Sequence, residues 1–108
     1  MNEKMSCMDK IVSIIVSIVD PDQIILFGSH ARGENNDKSD VDLLILKKNL
    51  KNAKAITDNL YMAFFENKIK TPVDLIINDL DKYNILKNEI GYIYGTISKE
   101  GKLIYEAA

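Results

Sequence analysis

Three aspartates lie in apolar segments, where a buried strand would not ordinarily carry charge. Asp40 and Asp42 open the apolar run 41–46, and Asp74 interrupts the run 73–77. Because residues two apart in a strand share a face, Asp40 and Asp42 point to the same side of their strand, opposite Val41. If the two strands are neighbours, all three carboxylates converge on one open face of a sheet.

Three carboxylates held close together are costly, because each charge disfavours the ionised form of the others. Mg²⁺ removes this cost, since it prefers carboxylate oxygens and completes its shell with waters and substrate phosphates. Two such ions, about 3.5–4 Å apart, can activate an attacking oxygen and stabilise a leaving one. Each aspartate alone also has a structural interpretation. Asp40 could cap a turn, Asp42 could lie at a solvated strand end, and Asp74 could face water. The metal interpretation therefore depends on the three aspartates together with the segment that precedes them.

That segment is the turn 27–33, which follows the first predicted strand directly. Gly28 lets the backbone approach a ligand closely, and Ser29 can begin a short helix whose free N–H groups favour phosphate. Alone, this pair is equally consistent with an ordinary turn in which Ser29 is the N-cap. The spacing is more specific, because Gly28-Ser29 is followed after ten residues by Asp40-Val41-Asp42.

Apolar periodicity predicts the elements that must position these residues. A helix ending before Pro21 is predicted by apolar residues at three- and four-residue steps, namely Met5, Met8, Val12, Ile15 and Val19. Strands are predicted at 23–27, 41–46, 73–77 and 102–105, with a polar loop at 33–38. A further helix is predicted from Asn49 to about Ile69, followed by one or two closing helices. This order predicts an α/β (α+β) fold of one domain, residues 1–108, in which helices cover one face of a small sheet.

The composition of the chain argues against a nucleic-acid-binding, secreted or membrane-spanning protein. The chain has 108 residues and a formal net charge of −2, with thirteen lysines and a single arginine, Arg32. We therefore expect no direct nucleic-acid binding, which needs a clustered basic face. The single cysteine, Cys7, indicates a reducing, cytoplasmic compartment. The apolar run 11–19 is too short to span a membrane, and the acidic residues around it do not fit a signal peptide.

The motif residues resemble the nucleotidyltransferase superfamily that includes DNA polymerase beta, and above all its minimal, single-domain members. The similar segments are ILFGSHARG (25–33), SDVDLLIL (39–46), PVDLII (72–77) and EGKLIYE (100–106). The resemblance implies the polymerase beta-like fold, with a small mixed sheet, and transfer of a nucleoside monophosphate to a hydroxyl with release of pyrophosphate.

The same resemblance assigns roles by position. It implies that Asp40 and Asp42 bind the metal, and that Asp74 is the third metal-site carboxylate and helps to activate the acceptor hydroxyl. Gly28 and Ser29 match the turn that holds the nucleoside triphosphate. The expected cofactor is Mg²⁺, as two ions, with ATP as the substrate. Arg32 either contacts phosphate or fixes the turn, and the role of His30 stays open.

The resemblance also implies a partner. Minimal members are typically encoded beside a HEPN-domain protein, so a hetero-oligomer is expected. In several such pairs the HEPN protein is a ribonuclease toxin, which the nucleotidyltransferase adenylylates on a tyrosine and thereby neutralises. By length alone, we expect the acceptor to be recognised by little surface or supplied by that partner. Two alternatives stay open. The chain could be an antitoxin that acts by binding alone, or the catalytic subunit of a two-chain transferase for a small-molecule or RNA acceptor.

Overall fold

The N-terminal helix is the first described element of the computed structural model, which describes residues 6–35 and 39–108. Helix α1 (Cys7–Val19) begins where the Ser6 hydroxyl accepts a hydrogen bond from the Asp9 N–H at 3.0 Å. It ends at Asp20, whose left-handed backbone turns the chain toward Pro21. The predicted helix is therefore confirmed, although Met5 lies outside the described residues.

The remaining elements follow the predicted order. They are β1 (Gln23–Phe27), α2 (Gly28–Arg32), β2 (Val41–Lys47), α3 (Ala53–Glu66), β3 (Val73–Asp79), α4 (Leu80–Leu86), α5 (Ile93–Glu100) and β4 (Lys102–Glu106). All four strands lie where the apolar runs placed them. Helix α3 is shorter than predicted, because Asn49, Asn52 and Lys68 adopt positive φ angles of 57°, 58° and 59°, which no right-handed helix contains. The predicted loop 33–38 is described only as far as residue 35.

The four strands form one mixed sheet in the order β3-β2-β1-β4. Strand β1 pairs antiparallel with β2 and with β4, whereas β2 and β3 run parallel. A parallel pair needs a long crossover connection, and α3 supplies it. The α/β class and the mixed sheet are thus confirmed.

Helices cover both faces of this sheet, which corrects the expectation of a single helical layer over an otherwise open sheet. On one face, Leu43 and Ile45 of β2 pack with α1 and α3. On the other face, Leu44 and Leu46 pack with Leu80 and Tyr83 of α4 and with Ile97 of α5. The physical reason is that the run 43–46 is apolar at every position, so both faces of β2 need cover.

Asp79 joins the end of β3 to two other segments. Partial desolvation raises the pKa of this carboxyl, but backbone N–H groups of Lys82, Leu50, Asp81 and Asn49 bond to it and make the net pKa lower than usual. Its oxygens accept from the Asp81 N–H at 2.9 Å and the Leu50 N–H at 3.4 Å. One ionised side chain therefore caps α4 and fixes the loop after β2.

We predict that Asp79→Asn lowers the thermal midpoint by several degrees, because an amide accepts these hydrogen bonds more weakly than a carboxylate. Since folding lowers the pKa of Asp79, its ionisation stabilises the fold above the pKa of the unfolded chain. That stabilisation is lost as the pH falls through the folded-state pKa. Thermal melts from pH 3 to pH 7 measure it.

The matched control is Asp81→Asn, which removes another acidic side chain from the first turn of α4 and leaves the Asp79 carboxylate in place. Equal melting temperatures for the two variants across the pH range would contradict the role given to Asp79.

Candidate active site

The turn after β1 begins at Gly28, whose φ of 75° is a conformation that favours glycine. It leads directly into α2, for which Phe27 occupies the N-cap position without a capping hydrogen bond from its side chain. Ser29 is the second residue of α2 and is half-buried. The interpretation of Ser29 as an N-cap is therefore wrong, and its backbone N–H lies in the first turn of the helix.

Strand register brings two of the three aspartates together. Asp42 and Asp74 are direct partners in the parallel ladder between β2 and β3, so their side chains lie on the same face. On its other side, Asp42 is paired with Phe27 in the antiparallel ladder to β1. Asp42 consequently lies between Asp74 and the turn that starts at Gly28.

The backbone of Gly28 lies directly against the Asp42 carboxyl group. A Cβ atom placed on Gly28 would overlap the Asp42 Oδ2 atom and lie 3.1 Å from its Cγ atom. The glycine is thus required twice, once by its φ angle and once by the closeness of this carboxylate. A ligand bound at this turn would therefore lie next to the Asp42 carboxyl group.

Electrostatics place Asp40 in the same cluster. The pKa of Asp42 is raised above its usual value, first by burial, then by the negative charges of Asp74 and Asp40, with His30 acting in the opposite direction. Asp40 itself is exposed and lies one residue before β2. The charges of Asp40 and Asp74 therefore both disfavour the ionised form of Asp42.

These residues fit a hard divalent cation by their chemistry, although they are not assembled as a ligand set. Within residues 6–35 and 39–108, no group of three His, Cys, Asp or Glu side chains is arranged to hold a metal ion. Asp40 and Asp74 are exposed and Asp42 is half-buried. Carboxylate oxygens are the donors that Mg²⁺ prefers. A cation would offset both the burial and the repulsion that raise the pKa of Asp42.

His30 and Arg32 lie on α2, and their side chains bind residues outside this helix. The His30 Nε2–H donates to the Ser39 carbonyl oxygen at 3.3 Å and so ties α2 to the residue before Asp40. The Arg32 guanidinium bonds to Glu34 at 2.9 Å and to Glu100 at 3.5 Å. Arg32 thus links the turn to the end of α5.

Sequence reasoning left His30 unassigned. The available signal was its place inside the motif, as the only histidine of the chain and two residues from the only arginine. Its partner, Ser39, lies across a polar loop, and no periodicity pairs residues across such a loop.

Comparison with known proteins supplies the family. Residues 9–108 match the family described as Polymerase beta, Nucleotidyltransferase. A Methanocaldococcus jannaschii protein with the provisional name of protein adenylyltransferase is 59% identical over 29 residues, which are 27% of this chain and 29% of that protein. The aligned stretch therefore spans less than a third of the length of that relative.

Solved structures agree in fold. A crystal structure from Sulfolobus solfataricus, provisionally described as a nucleotidyltransferase, gives a TM-score of 0.56 at 24% identity over 98% of this chain and 92% of that one. A toxin–antitoxin structure with AMP-PNP gives 0.61 at 22% identity, over 91% and 72% of the two chains. A mutant of the toxin–antitoxin MntA-HpeT, in which two aspartates two positions apart are replaced by glutamate, gives 0.61 at 19% identity, over 95% and 75%. In the part of the chain that the structure describes, no helix is both long and apolar enough to cross a bilayer.

We predict that Gly28→Ala destabilises the fold by about 1–3 kcal/mol more than Gly33→Ala does. Both glycines have similar positive φ angles, 75° and 72°, but a Cβ at Gly33 meets no atom within 4 Å. Urea denaturation measures the difference. Adding Asp42→Ala to Gly28→Ala should recover part of the loss, because it removes the overlapping carboxylate. Equal costs for the two glycine variants would contradict the close contact.

We further predict that Asp42→Asn raises the thermal midpoint by a few degrees at neutral pH in the presence of a chelator. Because folding raises the pKa of Asp42, the folded state holds that proton more tightly than the unfolded chain. Wild-type stability therefore falls as the pH rises through the titration of Asp42, and the amide variant escapes this loss. Asp74→Asn should give part of the same gain, since it removes one of the repelling charges. A midpoint that drops in both variants would show that the carboxylates do not repel one another.

Proposed function

Because the chain belongs to the Polymerase beta nucleotidyltransferase family, we propose that it transfers AMP from ATP to a hydroxyl of a partner protein. The observation that carries the proposal is the position of Asp42, between the Gly28 turn and Asp74 on one face of the sheet. A triphosphate at the turn and a hydroxyl at Asp74 would be neighbours across this carboxylate.

The transfer needs one bond to form and one to break. The acceptor oxygen bonds to the α-phosphorus of ATP, the bond from that phosphorus to the pyrophosphate oxygen breaks, and pyrophosphate leaves. The acceptor proton goes to the carboxylate of Asp74, which is exposed and can receive it. Gly28 and Ser29 hold the phosphates through backbone N–H groups, since Gly28 has no side chain to exclude them.

Asp40, Asp42 and Asp74 would hold Mg²⁺, as one or two ions. When bound, Mg²⁺ would offset the charge of the phosphates and of the carboxylates and favour both the attacking and the leaving oxygen. Asp42 can serve any such ion because it is half-buried and lies against the turn. His30 would keep Asp40 within reach by holding the Ser39 carbonyl.

The partner we propose is a HEPN-type ribonuclease toxin, with a tyrosine as the acceptor, so that the chain acts as a cytoplasmic antitoxin. Support comes from the provisional name of the Methanocaldococcus relative and from two toxin–antitoxin structures of the same fold. In one of these, two aspartates at the spacing of Asp40 and Asp42 were replaced by glutamate.

We predict that the chain, incubated with ATP, Mg²⁺ and the protein encoded beside its gene, adds the mass of AMP to that protein. Asp42→Asn should reduce the transfer at least about a hundredfold, because removal of an essential charge near the reacting phosphate costs several kcal/mol. Intact-mass spectrometry measures the product. Asp9→Asn, a charge removal on α1 that is remote in sequence from the motif, is the matched control and should keep wild-type activity.

Two outcomes separate the parts of the proposal. Retained transfer by Asp42→Asn would contradict the role of the carboxylates, and absence of transfer by the wild-type chain would contradict the reaction. If an inactive Asp42→Asn variant still protects cells from the toxin, neutralisation by binding alone is the function.

A further inference from the structure

Glu100 contacts the turn of the candidate active site through Arg32, although no step of the proposed reaction involves it. It is the last residue of α5, and its Oε1 atom lies 3.5 Å from the Nη1 atom of Arg32. Arg32 in turn is the last residue of α2, the helix that begins at Gly28. This contact therefore joins the phosphate-binding turn to a residue that is 68 positions away from Arg32 in the chain.

The backbone that follows Glu100 is seated firmly on β1. Gly101 packs so closely on this strand that an added Cβ atom would lie 2.6 Å from the Cγ2 atom of Ile25. Lys102 then pairs with Leu26 in the antiparallel ladder between β1 and β4. Because β1 leads directly into the turn, the Glu100 carboxylate is presented from a fixed position beside the residues that precede the turn.

Helix α2, by contrast, has little to hold it in place by itself. It is only five residues long, and the Phe27 side chain at its N-cap position makes no capping hydrogen bond. Helices this short are marginal without contacts to the rest of the protein. The Arg32 guanidinium supplies two such contacts, to Glu34 at 2.9 Å and to Glu100. Glu34 is only two residues further along the same loop, whereas Glu100 ties Arg32 to a separate element.

We propose that Glu100 is a positioning residue for the nucleotide, which acts by holding the Arg32 guanidinium and, with it, the Gly28 turn. The inference rests on the proposed function, in which Gly28 and Ser29 hold the phosphates of ATP. Glu100 takes no part in the bond changes. Its contribution is to keep the turn in its binding geometry before ATP arrives, so that less free energy is lost to ordering when ATP binds.

The exposure of this contact sets the size of the expected effect. The side chains of Arg32 and Glu100 are 42% and 47% exposed. Exposed ion pairs contribute little to the stability of a whole domain. Removal of the Glu100 charge should therefore leave the thermal midpoint within about two degrees of the wild-type value, and its effect should be found at the nucleotide site.

Isothermal titration calorimetry with Mg²⁺ and a non-hydrolysable ATP analogue tests the proposal. Glu100→Gln should weaken binding of the analogue about threefold, and Arg32→Gln should weaken it at least as much. In the Arg32→Gln background, Glu100→Gln should have no further effect, because both substitutions remove the same contact. The matched control is Glu89→Gln, which removes an exposed carboxylate between α4 and α5 and should bind as the wild-type chain does.

Because binding is measured without an acceptor, the result is separate from the transfer itself. Weaker binding by Glu100→Gln, in a chain that transfers no AMP, would leave the positioning role standing and contradict the reaction. Tighter binding by Glu100→Gln would show that Glu100 competes with phosphate for Arg32, which would overturn the proposal. Unchanged binding, an equal loss in the Arg32→Gln background, or no binding by the wild-type chain would overturn it too.

Discussion

The contact between the Asp42 carboxyl group and the backbone of Gly28 is the constraint on which the site depends. It exists because β1 and β2 pair so that Phe27 lies opposite Asp42, and the chain then turns away at a positive φ angle. Any side chain at position 28 would overlap the carboxylate. The parallel ladder to β3 adds Asp74 on the same face. The position of the Gly28 turn and the pairing of two aspartates thus both follow from the way β2 pairs with its two neighbouring strands.

These strand pairings bring like charges close to Asp42, whose ionised form is already disfavoured by burial. The pKa of Asp42 is raised for both reasons. The same strands carry what offsets this cost, since Leu43, Leu44, Ile45 and Leu46 are fully buried between helices on both faces of the sheet. Active sites typically hold a few charged residues that destabilise the fold, and buried apolar residues elsewhere offset that cost.

The sequence was sufficient for the elements and for the motif, because both depend on short-range patterns. Apolar runs located all four strands. Period-two alternation predicted that Asp40 and Asp42 share a side of β2, although Asp40 lies just before that strand. The parallel pairing that brings Asp74 to Asp42 could not be derived, because strand order is a tertiary property. The cover of both faces of the sheet was missed, and so was the bond from His30 to Ser39, which joins residues on opposite sides of a loop. Helix α3 begins later than predicted because Asn49 and Asn52 have positive φ angles, and the spacing of apolar residues carries no information about φ.

The most direct test of the central claim is paramagnetic broadening of amide NMR signals by Mn²⁺ in the presence of a non-hydrolysable ATP analogue. The claim is that one cation-binding cluster joins the Gly28 turn to the aspartates of two parallel strands. It predicts selective broadening of the signals of Gly28, Ser29, Asp42 and Asp74 in the wild-type chain, and loss of that broadening in Asp42→Asn. Broadening centred on other residues, or unchanged in Asp42→Asn, would contradict it.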